Sequence, residues 1–217
     1  MPSLVLLLGG RGTRFGSKKQ FLTYRGRFLF EYLLGRVRDL FSQVVLVVPP
    51  EDLERFKGLY PDLAVTAGGS ERQFSVYNGL KLVKEPVVVV HDGARPFASR
   101  ALFERVLRLG GFEGKVPALP VTDTIKRLSP EGLVLETLPR KELAAVQTPQ
   151  AFRTEVLKEC HERALEENFL GTDDASLVER CGYRVAAVEG ERFNFKITYP
   201  EDWETALCLL EKGVLKL

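Results

Sequence analysis

Leu4-Val5-Leu6-Leu7-Leu8-Gly9-Gly10-Arg11-Gly12-Thr13-Arg14 is the stretch whose reading decides the fold. Five apolar residues in a row, without polar alternation, suit a strand buried on both faces of a sheet. Glycines at the exit of such a strand let the backbone approach a ligand and turn its N–H groups towards phosphate oxygens. A strand covered on both faces needs helices on both sides. The rest of the chain supplies them. Similar short runs lie at 44–48, 63–66, 87–90, 116–119 and 184–188. Amphipathic helical patterns alternate with them at 29–41, 52–59, 71–83, 100–109, 154–167, 173–181 and 201–212, the last preceded by Pro200 at a first-turn position. The fold class is therefore α/β, a mostly parallel open sheet flanked by helices with right-handed crossovers, and its ligand is expected beyond the carboxyl ends of the strands.

One stretch breaks the alternation. Residues 124–128 and 133–138 read as two short extended runs around Ser129-Pro130-Glu131-Gly132, where proline second and glycine fourth mark a type I turn. A hairpin has no slot in a parallel sheet, so it is expected to project. Two strands alone are marginal in water, so the hairpin reads as a dimerisation arm, with an edge hairpin folded on its own domain as the alternative. The expected organisation is one domain, 1–217, carrying a β-arm at 121–146.

Composition narrows the function classes. The 217 residues are 45% hydrophobic and 28% charged, enough for one sizeable core. Thirty-one basic against 29 acidic residues give a formal charge of +2, which does not suit a general nucleic-acid binder. Three cysteines without a Cys-x-x-Cys exclude a disulfide framework and a zinc ribbon, and two histidines leave little for a histidine-rich metal centre. No early apolar run is long enough to span a membrane or resembles a signal peptide, so a cytoplasmic protein without a membrane anchor is expected. Locally the balance tips. Residues 1–30 contain Arg11, Arg14, Lys18, Lys19, Arg25 and Arg27 and no acidic residue, a patch suited to phosphates.

Two familiar labels fail on the first loop. A dinucleotide fingerprint needs glycine where Phe15 stands, and a P-loop needs Gly-Lys-Ser/Thr where Gly16 is followed by Ser17-Lys18. Glycines interleaved with Arg14 and Lys19 fit neutralisation of a triphosphate instead, an arginine forking two oxygens and a lysine adding a point charge. A solvated glycine-rich turn is the plain alternative. The run Val87-Val88-Val89-Val90-His91-Asp92-Gly93-Ala94-Arg95-Pro96 puts a carboxylate at a strand exit, where a phosphate-bridging magnesium ion would be held; an aspartate capping a turn is the alternative. His91 reads as a buried strand-end residue. Gly68-Gly69-Ser70-Glu71-Arg72-Gln73-Phe74-Ser75 could hydrogen-bond a base edge, although Ser70 as an N-cap and Ser75 as filler explain it as well.

Taken together and in order, these segments resemble the 2-C-methyl-D-erythritol 4-phosphate cytidylyltransferases. The carrying residues are Gly10-x-Gly12-x-Arg14 with Lys19-Gln20, Gly69-x-Glu71-Arg72-x-x-Ser75-Val76 and His91-Asp92-x-Ala94-Arg95-Pro96. The likeness continues through Val121-x-Asp123-Thr124-x-Lys126, Gln147-Thr148-Pro149-Gln150, Thr172-Asp173-Asp174-Ala175-Ser176 and Lys196-Ile197-Thr198-x-Pro200-Glu201-Asp202. The resemblance implies a Rossmann-like nucleotidyltransferase fold, a homodimer through the arm, Mg²⁺, and transfer from CTP to methylerythritol phosphate in isoprenoid-precursor synthesis. It implies no nucleic-acid or membrane partner. Arg14 and Lys19 would act at the triphosphate, beside Gly9, Gly10 and Gly12. Gly69 and Ser75 would read the cytosine, and Asp92 would hold the metal. Arg95, Thr124, Arg140, Thr148, Thr172 and Lys196 would surround the polyol phosphate, with Arg140 reaching into the partner's site and Lys196 and Arg140 sharing in catalysis. From the residues alone, Thr172 also reads as an N-cap, and Lys196 on a short strand as a surface lysine. Leu8, Ser70 and Gly93 depart from the family, standing for a small residue, an acidic residue and an alanine respectively. Ribitol 5-phosphate cytidylyltransferase, or a non-catalytic nucleotide-binding protein on the same scaffold, are the alternatives.

Overall fold

The computed structural model describes residues 1–9 and 21–217. Strand β1 (Ser3–Leu7) is buried at every position. Its side chains alternate between two cores: Leu4 and Leu6, with Leu8 just beyond, face one, and Val5 and Leu7 the other. A two-strand ribbon, β2 (Thr23–Tyr24) and β3 (Arg27–Phe28), turns through Arg25 and Gly26 at φ 48° and 79° and leads into α1 (Leu29–Val37). Then come β4 (Gln43–Val48), α2 (Leu53–Leu59), β5 (Ala64–Ala67), α3 (Arg72–Leu80), β6 (Val87–Asp92), α4 (Arg100–Leu107) and β7 (Gly114–Pro120). The second half runs β8 (Lys126–Leu128), β9 (Val134–Thr137), β10 (Ala144–Val146), β11 (Gln150–Arg153), α5 (Thr154–Glu166), α6 (Asp174–Arg180), β12 (Val185–Glu189) and α7 (Pro200–Glu211).

The main sheet has the order β10-β7-β11-β6-β1-β4-β5, with β12 also paired to β7. Pairs β1–β4, β1–β6, β4–β5 and β7–β12 are parallel; only β10 and β11 run antiparallel to their neighbours. The mostly parallel α/β sheet expected from the apolar runs is what forms. One core packs α1, α2 and α4 against Leu4, Leu6, Val44 and Leu46; the other packs α3, α5 and α6 against Val5, Val45, Val47 and Val90. Each such side chain, fully removed from water, contributes about 1.5–3 kcal/mol before entropy is counted. A third cluster seats α7 through Ala206 and Leu210 on Leu29, Phe97 and Ile197.

Registers Leu7↔Asp92 and Leu7↔Val47, with Val48↔Ala67, bring the exits of β1, β4, β5 and β6 level. The loops that leave those strands must share one edge. That edge carries the site. The hairpin forms a separate two-stranded sheet, β8–β9, exposed at every residue. Gly132 takes φ 86° and its N–H reaches the Ser129 carbonyl at 3.0 Å, while Ser129 N–H reaches the Leu133 carbonyl at 2.9 Å. This is the type I turn expected, completed by a left-handed glycine that restores the register.

Three local expectations are corrected. The N-cap of α3 is Glu71, not Ser70, which is exposed. The N-cap of α6 is Asp173, whose Oδ1 accepts from Ser176 N–H at 2.9 Å, not Thr172. The entry to α6 is set from outside, because Gln73 on α3 accepts the Gly171 N–H at 2.8 Å. Lys196 lies on no strand: its segment is irregular, and its backbone and neighbours bond to turns and side chains instead of a ladder.

Candidate active site

Beyond the exits of β1, β4 and β5 opens a cleft of about 650 Å³, lined by Gly9, Pro49, Pro50, Glu51, Gly68, Gly69, Ser70, Glu71, Arg72 and Ser75. That volume suits a nucleotide-sized ligand. Ser75 is no filler. From the first turn of α3 its Oγ donates to the Glu71 carbonyl at 3.1 Å and accepts the Gly69 N–H at 3.0 Å. The glycine loop is thereby stapled to the helix, with Gly69 exposed.

Asp92, the last residue of β6, is the charge centre. Its Oδ1 accepts from Arg72 Nε at 3.1 Å and its Oδ2 from Lys196 Nζ at 2.7 Å. Burial alone would raise the Asp92 carboxyl; Arg72 foremost, then Lys196 and Arg95, overcome that and hold it well below the usual carboxylate range. Arg72 is itself gripped from behind by Asp174 Oδ2 at 2.8 Å, and the other Asp174 oxygen accepts from His161 Nε2 at 3.1 Å. Burial lowers the Arg72 guanidinium, but the two carboxylates outweigh it and raise it above its ordinary value. Arg95 donates to the Asn194 carbonyl at 2.8 Å. Arg72 Nη2 and Arg95 Nε are buried donors without a partner among the described residues. They are spare capacity for an anion.

A second chain fixes the turn that carries Asp92. His91 Nε2 lies 3.0 Å from the Arg95 carbonyl, which can only accept, so Nε2 carries the proton. Burial pushes the His91 imidazole down to about 4, so near neutral pH Nδ1 is an acceptor. Thr148 Oγ1, 3.0 Å from Nδ1, must therefore donate to it, and it accepts the Asp92 N–H at 3.1 Å. The Thr148 hydroxyl proton is committed to His91, and His91 is fully buried as the sequence suggested.

Lys196 is delivered by an amide clamp. Gln147 Nε2 donates to the Glu191 carbonyl at 2.9 Å, and its Oε1 accepts the Glu191 N–H at 3.1 Å. Asn194 Nδ2 donates to the Thr148 carbonyl at 2.8 Å, and Ile197 N–H reaches the Ala94 carbonyl at 2.9 Å. Both amide residues are buried. These contacts press the Lys196 segment onto the His91–Pro96 turn.

Of the residues singled out from the sequence, the structure brings together Asp92, Arg95, Thr148 and Lys196 at one place, and Gly9, Gly69 and Ser75 at the adjoining cleft. Thr172 is exposed beside Asp173, which accepts from Gln150 Nε2 at 2.9 Å. Thr124 and Arg140 are exposed at the foot of the hairpin, where Arg140 donates to the Thr122 carbonyl at 2.5 Å. No hydrogen bond or ion pair among the described residues links either to Asp92. Gly10, Gly12, Arg14 and Lys19 lie outside the described residues. Reading the sequence gave Arg72, Gln147, Asn194, His161 and Asp174 no part in the site, although Arg72, Gln147 and Asp174 stand inside the motifs that carry the family resemblance. The other signal was charge or amide within otherwise apolar surroundings, as in Asp174-Ala175-Ser176-Leu177-Val178.

Three described carboxylates stand at the strand exits, Asp92 among the cations and Glu51 and Glu71 along the cleft, and Asp92 is the one the resemblance assigns to a magnesium ion. Among the described residues no group of three or more His, Cys, Asp or Glu side chains could hold a metal. This fits a Mg²⁺ carried in on nucleotide phosphates, which takes one or two protein carboxylates and keeps water for the rest. An ionised carboxylate has about four acceptor positions, and Asp92 has one neighbour on each oxygen.

Comparison with known proteins adds an independent finding. The family model described as 2-C-methyl-D-erythritol 4-phosphate cytidylyltransferase matches residues 3–212. The protein of that name from Aquifex aeolicus is 49% identical over 204 residues, covering 94% of this chain and 95% of its own. Its counterpart from Halalkalibacterium halodurans is 43% identical over 220 residues, covering 96% of each chain. The crystal structure of the Thermus thermophilus protein of that name superposes with a TM-score of 0.81 at 39% identity, covering 95% of this chain and 98% of that one.

Proposed function

The chain belongs to the 2-C-methyl-D-erythritol 4-phosphate cytidylyltransferase family, and on that premise we propose that it joins CTP to 2-C-methyl-D-erythritol 4-phosphate. The products are 4-diphosphocytidyl-2-C-methyl-D-erythritol and pyrophosphate, made for isoprenoid synthesis in the cytoplasm with Mg²⁺. Ribitol phosphate is not favoured, since the family model and the relatives alike name the methylerythritol substrate. No helix among the described residues is long and apolar enough to cross a membrane.

The observation that carries this reading is the Lys196–Asp92–Arg72 array at the strand exits, beside a nucleotide-sized cleft. The attacking group is a phosphate oxygen, already an anion, so no general base is needed to make the nucleophile. What the reaction needs is two polyanions held in line and the charge at the α-phosphorus neutralised. Lys196, one-third exposed beside Asp92, presents its ammonium to the polyol phosphate. Arg95 and Arg72 contribute fixed positive charge, and Arg14 and Lys19 embrace the triphosphate. When bound, Mg²⁺ held by Asp92 supplies charge neutralisation at the phosphates. Gly69 N–H and the Ser75 staple shape the cleft for the base. Thr148 holds the backbone of Asp92 directly, accepting its N–H while donating its own proton to His91.

Arg140 and Thr124 stand on an arm whose Leu128, Leu133, Val134 and Leu135 are 55–67% exposed. Exposed apolar strands of this kind call for a partner. A homodimer in which each arm lies across the other protomer covers them and carries Arg140 and Thr124 towards the partner's polyol site. Pyrophosphate release tests the reading: CTP against the other nucleoside triphosphates, each with methylerythritol phosphate or ribitol phosphate, with and without Mg²⁺. Release confined to CTP, methylerythritol phosphate and Mg²⁺ is expected. Release with ribitol phosphate alone would move the substrate assignment, and none from folded protein would sink it.

A further inference from the structure

His161 lies outside the cluster around Asp92, yet it closes the back end of that charge array. Three helices meet behind Arg72: α3 carries Arg72 itself, α5 carries His161 on its buried face, and α6 opens on Asp174. Asp174 is 1% exposed and His161 is fully buried, so water answers neither. The two oxygens of Asp174 are shared out, Oδ2 accepting from Arg72 Nη1 at 2.8 Å and Oδ1 from His161 Nε2 at 3.1 Å. An ionised carboxylate only accepts, so His161 Nε2 carries the proton. His161 Nδ1 is buried without a partner among the described residues, which leaves the ring one hydrogen bond there, the one to Asp174. Its plane is set by Tyr77 from α3, stacked on it at 6.1 Å between centroids and 13° between planes. Gln73, next to Arg72, accepts the Gly171 N–H at 2.8 Å and donates to the Phe169 carbonyl at 2.9 Å, tying the α5–α6 connection to α3. Burial would raise the Asp174 carboxyl; Arg72 first, and His161 after it, hold it below its ordinary value.

We infer that His161 and Asp174 are positioning residues for the transfer proposed above, acting through Arg72 and not on substrate. The inference rests on that function. Arg72 has a long, flexible side chain, and its charge serves the phosphates only from one place. Gripped at Nη1 by Asp174, the guanidinium turns its Nε to Asp92 Oδ1, 3.1 Å away. Asp174 keeps that grip while its carboxylate is fixed, and His161 is the group that fixes the second oxygen. Without the imidazole, Oδ1 becomes a buried anionic oxygen with no donor among the described residues. The carboxylate then turns towards another donor, and Arg72 turns with it. From Lys196 through Asp92, Arg72 and Asp174 the array alternates in sign, so a shift at the far end reaches the carboxylate that Lys196 also holds. A histidine that served only the packing of α5 would be indifferent to the charge on Asp174. One that serves Arg72 depends on it.

The test is a double-mutant cycle read by pyrophosphate release from CTP and methylerythritol phosphate. His161→Leu keeps the bulk and removes the donor; it should lower kcat about tenfold while each KM moves by less than about threefold. His161→Gln, whose amide reaches towards the same oxygen, should bring kcat back to within about threefold of the parent. Asp174→Asn should lower kcat about 100-fold. Adding His161→Leu to it should cost less than about a further twofold, because the residue it acts through is already gone. Additive losses, or His161→Gln no better than His161→Leu, would make His161 a packing residue and overturn the inference. A readout independent of turnover separates that result from failure of the proposed function. Exchange of the Arg72 Nε–H with water, followed in the arginine side-chain NMR spectrum and assigned by its loss in Arg72→Lys, should be at least about tenfold faster in His161→Leu than in the parent. His161→Gln should exchange at close to the parent rate. Equal rates in the parent and His161→Leu would overturn the inference whatever the substrates prove to be. Should Asp174→Asn fail to fold, the two variants at 161 and their exchange rates still decide.

Discussion

The strand-exit cluster and the β8–β9 arm are built on opposite principles. Around Asp92 nearly every polar group is answered from within the chain: two cations on one carboxylate, a carboxylate behind one cation, a histidine locked in one tautomer. In β8 and β9 every residue is exposed, and the internal contacts are their own ladder, the Arg127–Glu136 pair and a Lys126–Thr137 hydrogen bond. A buried charge network is tolerated when its charges are paired, because each unpaired charge is costly, and here the unanswered atoms are single donors of Arg72 and Arg95 whose guanidinium groups are otherwise held. An arm under no such demand can be completed by another chain. The cluster is pre-organised and the arm is waiting. On the function proposed above, catalysis by electrostatics calls for the first, and a site completed across a dimer would call for the second.

That contrast can be broken. Lys196→Ala removes a charge held by a rigid frame, so kcat/KM should fall by about 1,000-fold, with a melting temperature lower by a few degrees because Asp92 keeps Arg72 but loses its second cation. A steady-state assay beside a melt reads both, and activity within a few-fold of the parent would remove Lys196 from the reaction. Replacing 124–138 by a short turn should give a folded monomer by light scattering, with turnover down at least about 100-fold. A fully active monomer would show that the arm supplies nothing.

The cluster's rigidity also has a pH signature. His91 has its pKa lowered to about 4 by burial, below its ordinary value near 6.5, so the folded state favours the neutral ring. Its contribution, about 3 kcal/mol in full, is present above pH 6.5 and is lost as pH falls towards 4. Urea unfolding between pH 7 and 4 should show this decline, and His91→Phe should flatten it; an unchanged slope would refute the tautomer-locked chain. Asp92, held below the normal carboxylate range, adds a loss only at lower pH.

A smaller effect joins Leu8 and Gly93, which pack against each other where β1 and β6 end. A Cβ on Gly93 would lie 2.5 Å from Leu8 Cδ2 and 2.9 Å from the Leu7 carbonyl oxygen. Leu8 thus fills the space a side chain at 93 would occupy. Gly93→Ala should cost about 1–3 kcal/mol, and less when Leu8→Ala is present, giving measurable coupling in a double-mutant cycle. Strict additivity would separate the two positions. The smallest effect belongs to the arm's tip: Gly132→Ala, at φ 86°, should cost roughly 1 kcal/mol without altering the site.

Much of this was legible without a structure, because period and punctuation are local. The runs at 4–8, 44–48 and 87–90 became β1, β4 and β6 because unbroken β-branched or leucine stretches can only be buried on two faces. Ser129-Pro130-Glu131-Gly132 specified its own turn. The ordered motifs named the family, and Asp92 and Lys196 with it. Tertiary structure alone decided the rest. Thr172 and Ser70 looked like caps, but Gln73 holding Gly171 and Ser75 holding Gly69 set where those helices begin. Strands β10 and β11, three and four residues long, carry too little pattern to be read. Arg72, Gln147, Asn194 and Asp174 owe their roles to partners 20 to 102 positions away, as in Arg72–Asp92 and Arg72–Asp174. A buried charge is tolerated only where another element brings its counter-charge, and no local window of sequence contains that information.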